Sequence, residues 1–218
     1  MHGAYQHFVE GGWGMWPILF WSILTIGVIV ERALFLFGSS INKDVFLATM
    51  QKCILAGDVA KAVKMCSAAN APLARIVQAG LVKVNRPDEE VQAGMDEAAL
   101  RELPKIGART SYLALLANLA MLSGLLGTVS GLIKSFGAVA GASVDPSQKA
   151  TILANGISEA MNCTAFGLGV AIVGLVGFAI LNGKTQGIED DINEASVQIL
   201  NLVVANRQKV NIAAVQAA

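Results

Sequence analysis

The sequence predicts an all-α membrane protein: three transmembrane helices with the N-terminus outside and the C-terminus inside, a helical cytoplasmic insert and a C-terminal cytoplasmic helix. Three observations lead there. First, 54% of the 218 residues are hydrophobic and 15% charged, with a mean hydropathy of +0.57. Ordinary soluble domains are about 45–50% apolar and about 25% charged, so a soluble core of this size cannot absorb the excess. Second, Asp, Glu, Lys and Arg are absent from Gly11–Val30 (20 residues), Thr110–Ile133 (24) and Ala160–Gly183 (24). About 20 such residues cross a hydrocarbon layer of roughly 30 Å, and they must be helical because lipid offers free backbone groups no partner. Third, eleven Lys and Arg lie between Glu31 and Arg109 and three more after Gly183, while the connection between the last two runs has only Lys134 and Lys149. Basic loops stay on the cytoplasmic side.

In chain order, residues 1–12 form an outer tail in which His2 and His7 are solvated. The first span, 13–37, opens with Trp13, Trp16 and Trp21, whose rings favour the headgroup boundary. No Lys or Arg precedes it and its apolar run exceeds the roughly 7–15 residues of a secretory signal, so it reads as a retained anchor. Residues 38–109 form the cytoplasmic region. Asn42 caps a helix that closes at Gly57, Asp58 starts a second and Pro72 begins a third. A long helix from Asp88, kinked at Pro104, runs on into the second span, 110–136. A short outer connection, 137–149, leads to the third span, 150–183. The tail, 184–218, continues as a cytoplasmic helix with Ile188, Ile192, Ile199 and Val203 on one face and Glu189, Asp190, Asp191 and Glu194 on another.

Several function classes fall away. Sixteen Lys and Arg balance sixteen Asp and Glu, so there is no basic surplus for nucleic acid. No phosphate-binding loop or nucleophile elbow is present, and an enzyme is not expected. Cys53, Cys66 and Cys163 lack a Cys-x-x-Cys pair and a neighbouring His, so neither a disulfide framework nor a metal site is expected.

Chemistry concentrates in the last two spans. Ala150–Gly183 contains 34 residues and a single charge, Glu159. As one helix this stretch is about 51 Å long, and Glu159 falls about 15 Å from Lys149. An acid at that depth is expensive unless it faces protein or water, and it marks an ion or proton path. A helix starting later would leave Glu159 among the headgroups; both placements are open. Asn155, Glu159 and Asn162 are spaced i, i+4, i+7 and share one face, expected to line a bundle interior. Thr164 lies about 140° further round and cannot join that stripe without a neighbouring helix. In the second span, Gly124, Gly127 and Gly131 share a face beside Ser123, Thr128 and Ser130. Small residues allow close helix approach and hydroxyls bond across it; Gly167, Gly174 and Gly177 read the same way. For Thr128, packing and pore lining are both open, because most membrane threonines bond their own backbone.

These residues resemble the MotA/TolQ/ExbB proton-channel family, in its three-span ExbB/TolQ branch. The similarity rests on Leu125-Leu126-Gly127-Thr128-Val129-Ser130-Gly131, on Gly156-Ile157-Ser158-Glu159-Ala160 followed by Thr164-Ala165-Phe166-Gly167-Leu168, and on Trp16-Pro17-Ile18-Leu19 with Glu31-Arg32. Asn162 and Cys163 depart from the aliphatic or small residues more usual there. The resemblance implies a homopentameric stator in the bacterial inner membrane, surrounding two copies of an ExbD/TolR-like single-span protein. Protons, with no cofactor, would pass Thr128, Glu159 and Thr164. Work would be done on a periplasm-spanning partner: TonB-like, TolA-like or part of a gliding machinery. A transporter for another solute would more naturally show inverted repeats or broken helices, and a purely structural scaffold would not need Glu159.

Overall fold

The structure, a computed structural model, describes residues 11–140 and 146–206. A short 3-10 turn, Gly12–Gly14, leads into α1 (Met15–Ser39); there follow α2 (Lys43–Leu55), α3 (Val59–Ala68), α4 (Pro72–Val82), α5 (Asp88–Gly107), α6 (Thr110–Ala140) and α7 (Pro146–Ala205). No strand occurs among the described residues, and three helical stretches are long and apolar enough to cross a membrane. The protein is an all-α, multi-pass membrane protein with three spans. His2 and His7 lie outside the described residues, as do the centre of the expected 137–149 connection and the last twelve positions. Both described ends of that connection are helical: α6 continues to Ala140, and α7 begins at Pro146, a residue suited to a first helical turn.

The chain divides into two compact units. One holds the chain up to Arg32 together with Arg109–Leu181. Within it, α6 and α7 run antiparallel in a register set by small residues. A β-carbon added to Gly131 would lie 3.3 Å from the Ala160 β-carbon, one on Gly124 would lie 3.2 Å from the Gly167 Cα, and one on Gly174 would lie 3.0 Å from the Ala117 β-carbon. A side chain at these heights would be crowded, and at Gly124 and Gly167 the two backbones are in close contact. Helix α1 joins them through Gly14, whose added β-carbon would lie 3.1 Å from both the Gly127 Cα and the Cys163 sulfur. Further along, the Trp21 indole N–H donates to the Ser123 hydroxyl at 3.0 Å. Met15, Ile18 and Cys163 form a small core, with Phe166 and Val170 packed against it.

The other unit comprises Ala33–Ala108 and the chain from Asn182 onward. Its helix starts follow local rules. The Asn42 amide oxygen accepts from the Val45 N–H (3.3 Å) and the Asp58 carboxylate from the Lys61 N–H (3.0 Å), each satisfying a donor the helix leaves open. Gly57, at φ 78°, turns the chain between α2 and α3 where a side chain would be strained. Pro72 opens α4. Sulfur fills much of the α2–α3 contact: the Cys66 thiol lies 3.7 Å from the Met50 sulfur and the Cys53 thiol 4.0 Å from that of Met65. Burial pushes the Cys66 thiol up to about 11, with the nearby Cys53 adding to the effect. On α7, Ile188, Ile192, Ile199 and Val203 are all buried. The acidic face of this helix is tied down: Lys43 Nζ sits 2.7 Å from Glu194 and 2.9 Å from Asp191. Hydrogen bonds to Glu194 and then Asp191 hold the ammonium pKa above its ordinary value.

One expectation is corrected. The helix from Asp88 does not run on into the second span: α5 ends at Gly107, and Arg109 adopts a left-handed φ of 64° before α6 starts. Pro104 lies inside α5 and cannot donate to the turn before it. The helix closes when the Ala108 N–H bonds the Pro104 carbonyl at 2.9 Å. Long-range polar contacts surround the break. Arg109 reaches Glu31 at 2.6 Å, and Arg32, which is buried, donates from Nε to the Thr110 hydroxyl at 3.4 Å.

Candidate functional site

The packing of α6 on α7 brings two threonines together. Gly124 and Gly167 let the backbones approach, and one turn beyond Gly124 the Thr128 hydroxyl meets that of Thr164 at 2.9 Å. Each hydroxyl has one proton and several acceptors in reach. Thr128 Oγ1 lies 3.1 Å from the Gly124 carbonyl and 2.9 Å from that of Leu125, while Thr164 Oγ1 lies 3.4 Å from the Gly124 carbonyl. Either threonine can donate to the other, the remaining proton going to a backbone oxygen. The pair can therefore reverse its hydrogen-bond direction by rotating two C–O bonds. Of the two roles left open for Thr128, these contacts show the packing one: it bonds its own helix and a neighbouring helix at once.

Glu159 sits elsewhere. It is half-buried, and its carboxylate rests against Gly12, where a β-carbon would collide with Oε1 and lie 2.9 Å from Cδ. Gly12 belongs to the turn that opens α1, so Glu159 is level with the start of the first span. Helix α7 extends a further 13 residues beyond it to Pro146. Thr164 is about 7.5 Å further along the helix axis and on the flank facing α6, which accounts for their different neighbours. Asn155 is exposed and Asn162 half-buried; within this chain the Asn155–Glu159–Asn162 stripe does not face a common interior. Gly124, Gly127, Gly131, Gly167 and Gly174 are all buried at helix contacts.

Other polar groups of the unit had no signal in spacing alone. The Cys163 thiol donates to the Gly11 carbonyl at 2.9 Å, a contact spanning 152 positions of sequence. Ser135 bonds the Gly131 carbonyl at 2.8 Å and fills the space beside Gly156. Thr25 is buried, and its hydroxyl has no hydrogen-bond partner among the described atoms. Asn118 puts an exposed amide inside the charge-free second span; that signal was present as an amide in an apolar run. No group of three or more His, Cys, Asp or Glu suited to a metal occurs among the described residues.

Residues 68–194 match the profile of the MotA/TolQ/ExbB proton channel family. An ExbB-like biopolymer transport protein of Synechocystis sp. is 32% identical over 182 residues, covering 81% of this chain and 69% of its own. A second ExbB-like protein of that organism is 29% identical over 192 residues, 83% of this chain and 91% of its own. The Tol-Pal system protein TolQ of Haemophilus influenzae is 35% identical over 99 residues, 44% of this chain and 41% of its own. With three apolar spans, a hydroxyl pair bridging the second and third, and a matching profile over more than half its length, the chain belongs to the MotA/TolQ/ExbB proton channel family.

Proposed function

We propose that the protein is the proton-conducting stator subunit of a bacterial inner-membrane motor. It forms a homopentamer around two copies of an ExbD/TolR-like single-span protein and couples the proton-motive force to work on a periplasm-spanning partner. The ExbB and TolQ names of its relatives support this reading. The observation that carries it is the Thr128–Thr164 hydroxyl pair at 2.9 Å, which joins α6 to α7, the helix that also bears Glu159, the one carboxylate of the third span. With the N-terminus outside, Glu159 is an entry group at the outer mouth and the threonine pair a relay further in. Asn155, exposed on the single chain, faces the interior that neighbouring copies create.

The test is substitution in cells that carry the native partners. Glu159→Gln keeps size and hydrogen bonding but removes the titratable proton. It should abolish proton-driven output while the subunit still accumulates and assembles. Unchanged output would remove Glu159 from the path and favour a scaffold.

A further inference from the structure

We infer that the glycine turn Gly11–Gly14 is the positioning element for Glu159, holding its carboxylate in place by backbone contact; this rests on the reading of Glu159 as a proton-path group. Three independent contacts fasten the turn at that spot. Gly12 has a φ of 64°, which glycine adopts freely, and its missing β-carbon is the space the carboxylate occupies. One helical turn on from Glu159, the buried Cys163 thiol donates to the Gly11 carbonyl at 2.9 Å. Gly14 closes the other side, its added β-carbon lying 3.1 Å from the Cys163 sulfur and 3.1 Å from the Gly127 Cα. Helix α7 thus presents Glu159 and Cys163 together, and α1 begins with backbone shaped to receive both.

The consequence is steric and specific. Any side chain at position 12 takes the volume of the carboxylate and swings Glu159 off its seat. Shortening Glu159 by one methylene makes room again. That reciprocity separates positioning from backbone strain, because Glu159→Asp does nothing to relieve a left-handed φ.

Proton flux would be measured in membrane vesicles from cells expressing the whole complex, for Gly12→Ala, Gly12→Asn, Glu159→Asp and Gly12→Ala combined with Glu159→Asp. Asn tolerates left-handed backbone better than Ala, so it isolates the effect of the side chain. We expect Gly12→Ala and Gly12→Asn each to lower flux at least tenfold per assembled complex, Glu159→Asp alone to lower it two- to fivefold, and the double variant to return to the Glu159→Asp level. Wild-type flux in Gly12→Asn, or a double variant as inactive as Gly12→Ala, would overturn the inference. If Gly12→Ala does not accumulate, recovery of both level and flux in the double variant supports positioning, and failure to recover refutes it. Normal flux in Glu159→Gln would instead sink the proposed function, a distinguishable result.

Discussion

At the scale of single residues, Thr164 separates packing from conduction. Thr164→Val keeps the shape and removes the hydroxyl that meets Thr128 at 2.9 Å. Hydrogen bonds between membrane helices are worth about 0.6 kcal/mol on average and at most ~1.7. The variant should therefore assemble normally and melt only slightly earlier, yet lose proton-driven output by an order of magnitude or more, whereas Thr164→Ser should retain it. A loss of output no larger than the loss of assembled protein would reduce the pair to packing. Cys66 provides a second test. Its pKa is raised from 9.0 to about 11 by burial, so between those values the unfolded chain releases a proton that the folded chain keeps. Stability contributed by the buried thiol is complete below pH 9 and falls as pH rises, by about 3 kcal/mol across two pK units. In thermal melts of the detergent-solubilised protein, Cys66→Ala should lose less stability than wild type between pH 8 and 11; equal losses would contradict this account. Residues that stand out by local chemistry were visible as candidates in sequence: an acid in an apolar run singled out Glu159. Thr128 stayed ambiguous because its partner depends on helix register. Gly12 carried no signal and Cys163 gave no hint of its partner, since their contacts join positions roughly 150 apart, and pattern along one chain does not encode which distant backbone will approach.

At the scale of elements, helix starts followed from residues within one turn, as Asn42, Asp58 and Pro72 illustrate. The break between α5 and α6 did not. A proline inside an amphipathic pattern predicts a kink, and deciding between a kink and a stop needs the surroundings of Arg109 and Thr110, whose partners Glu31 and Arg32 lie 78 positions away. Glycine spacing was readable as a packing face, and the geometry makes it quantitative. A β-carbon on Gly167 would lie 2.9 Å from the Ala120 carbonyl and 3.0 Å from the Gly124 Cα, both backbone, whereas one on Gly169 meets nothing within 4 Å. Overpacking that forces backbone shifts costs about 1–3 kcal/mol. Gly167→Ala should thus lower the melting temperature of the purified protein and Gly169→Ala should not, although both glycines lie in the same helix. Equal effects would mean that α6 and α7 do not meet in this register.

At the scale of the whole molecule, one chain does not make a proton path. Glu159 and the threonine pair are about 7.5 Å apart along α7 and about 140° apart around it, while a hydrogen bond spans roughly 3 Å. The exposed faces of the spans point the same way. Leu122, Leu125, Leu126, Val129 and Ile133 on α6, and Met161, Leu168 and Ile172 on α7, are open to lipid or to other chains, with the amides of Asn118 and Asn155 exposed among them. Amides are expensive against lipid and are accommodated where copies or a partner helix cover them. On the proposed reading, a proton that reaches Glu159 would cross to the threonine pair on a group supplied from outside the chain, and a carboxylate on a single-span partner is suited to that. Liposomes containing only this protein should accordingly show assembled rings and little proton flux under an imposed pH gradient, and adding the partner should raise flux at least tenfold. That rise should vanish with Glu159→Gln in this chain. Robust flux through the subunit alone would place a continuous path inside the ring and remove the need for a partner's carboxylate.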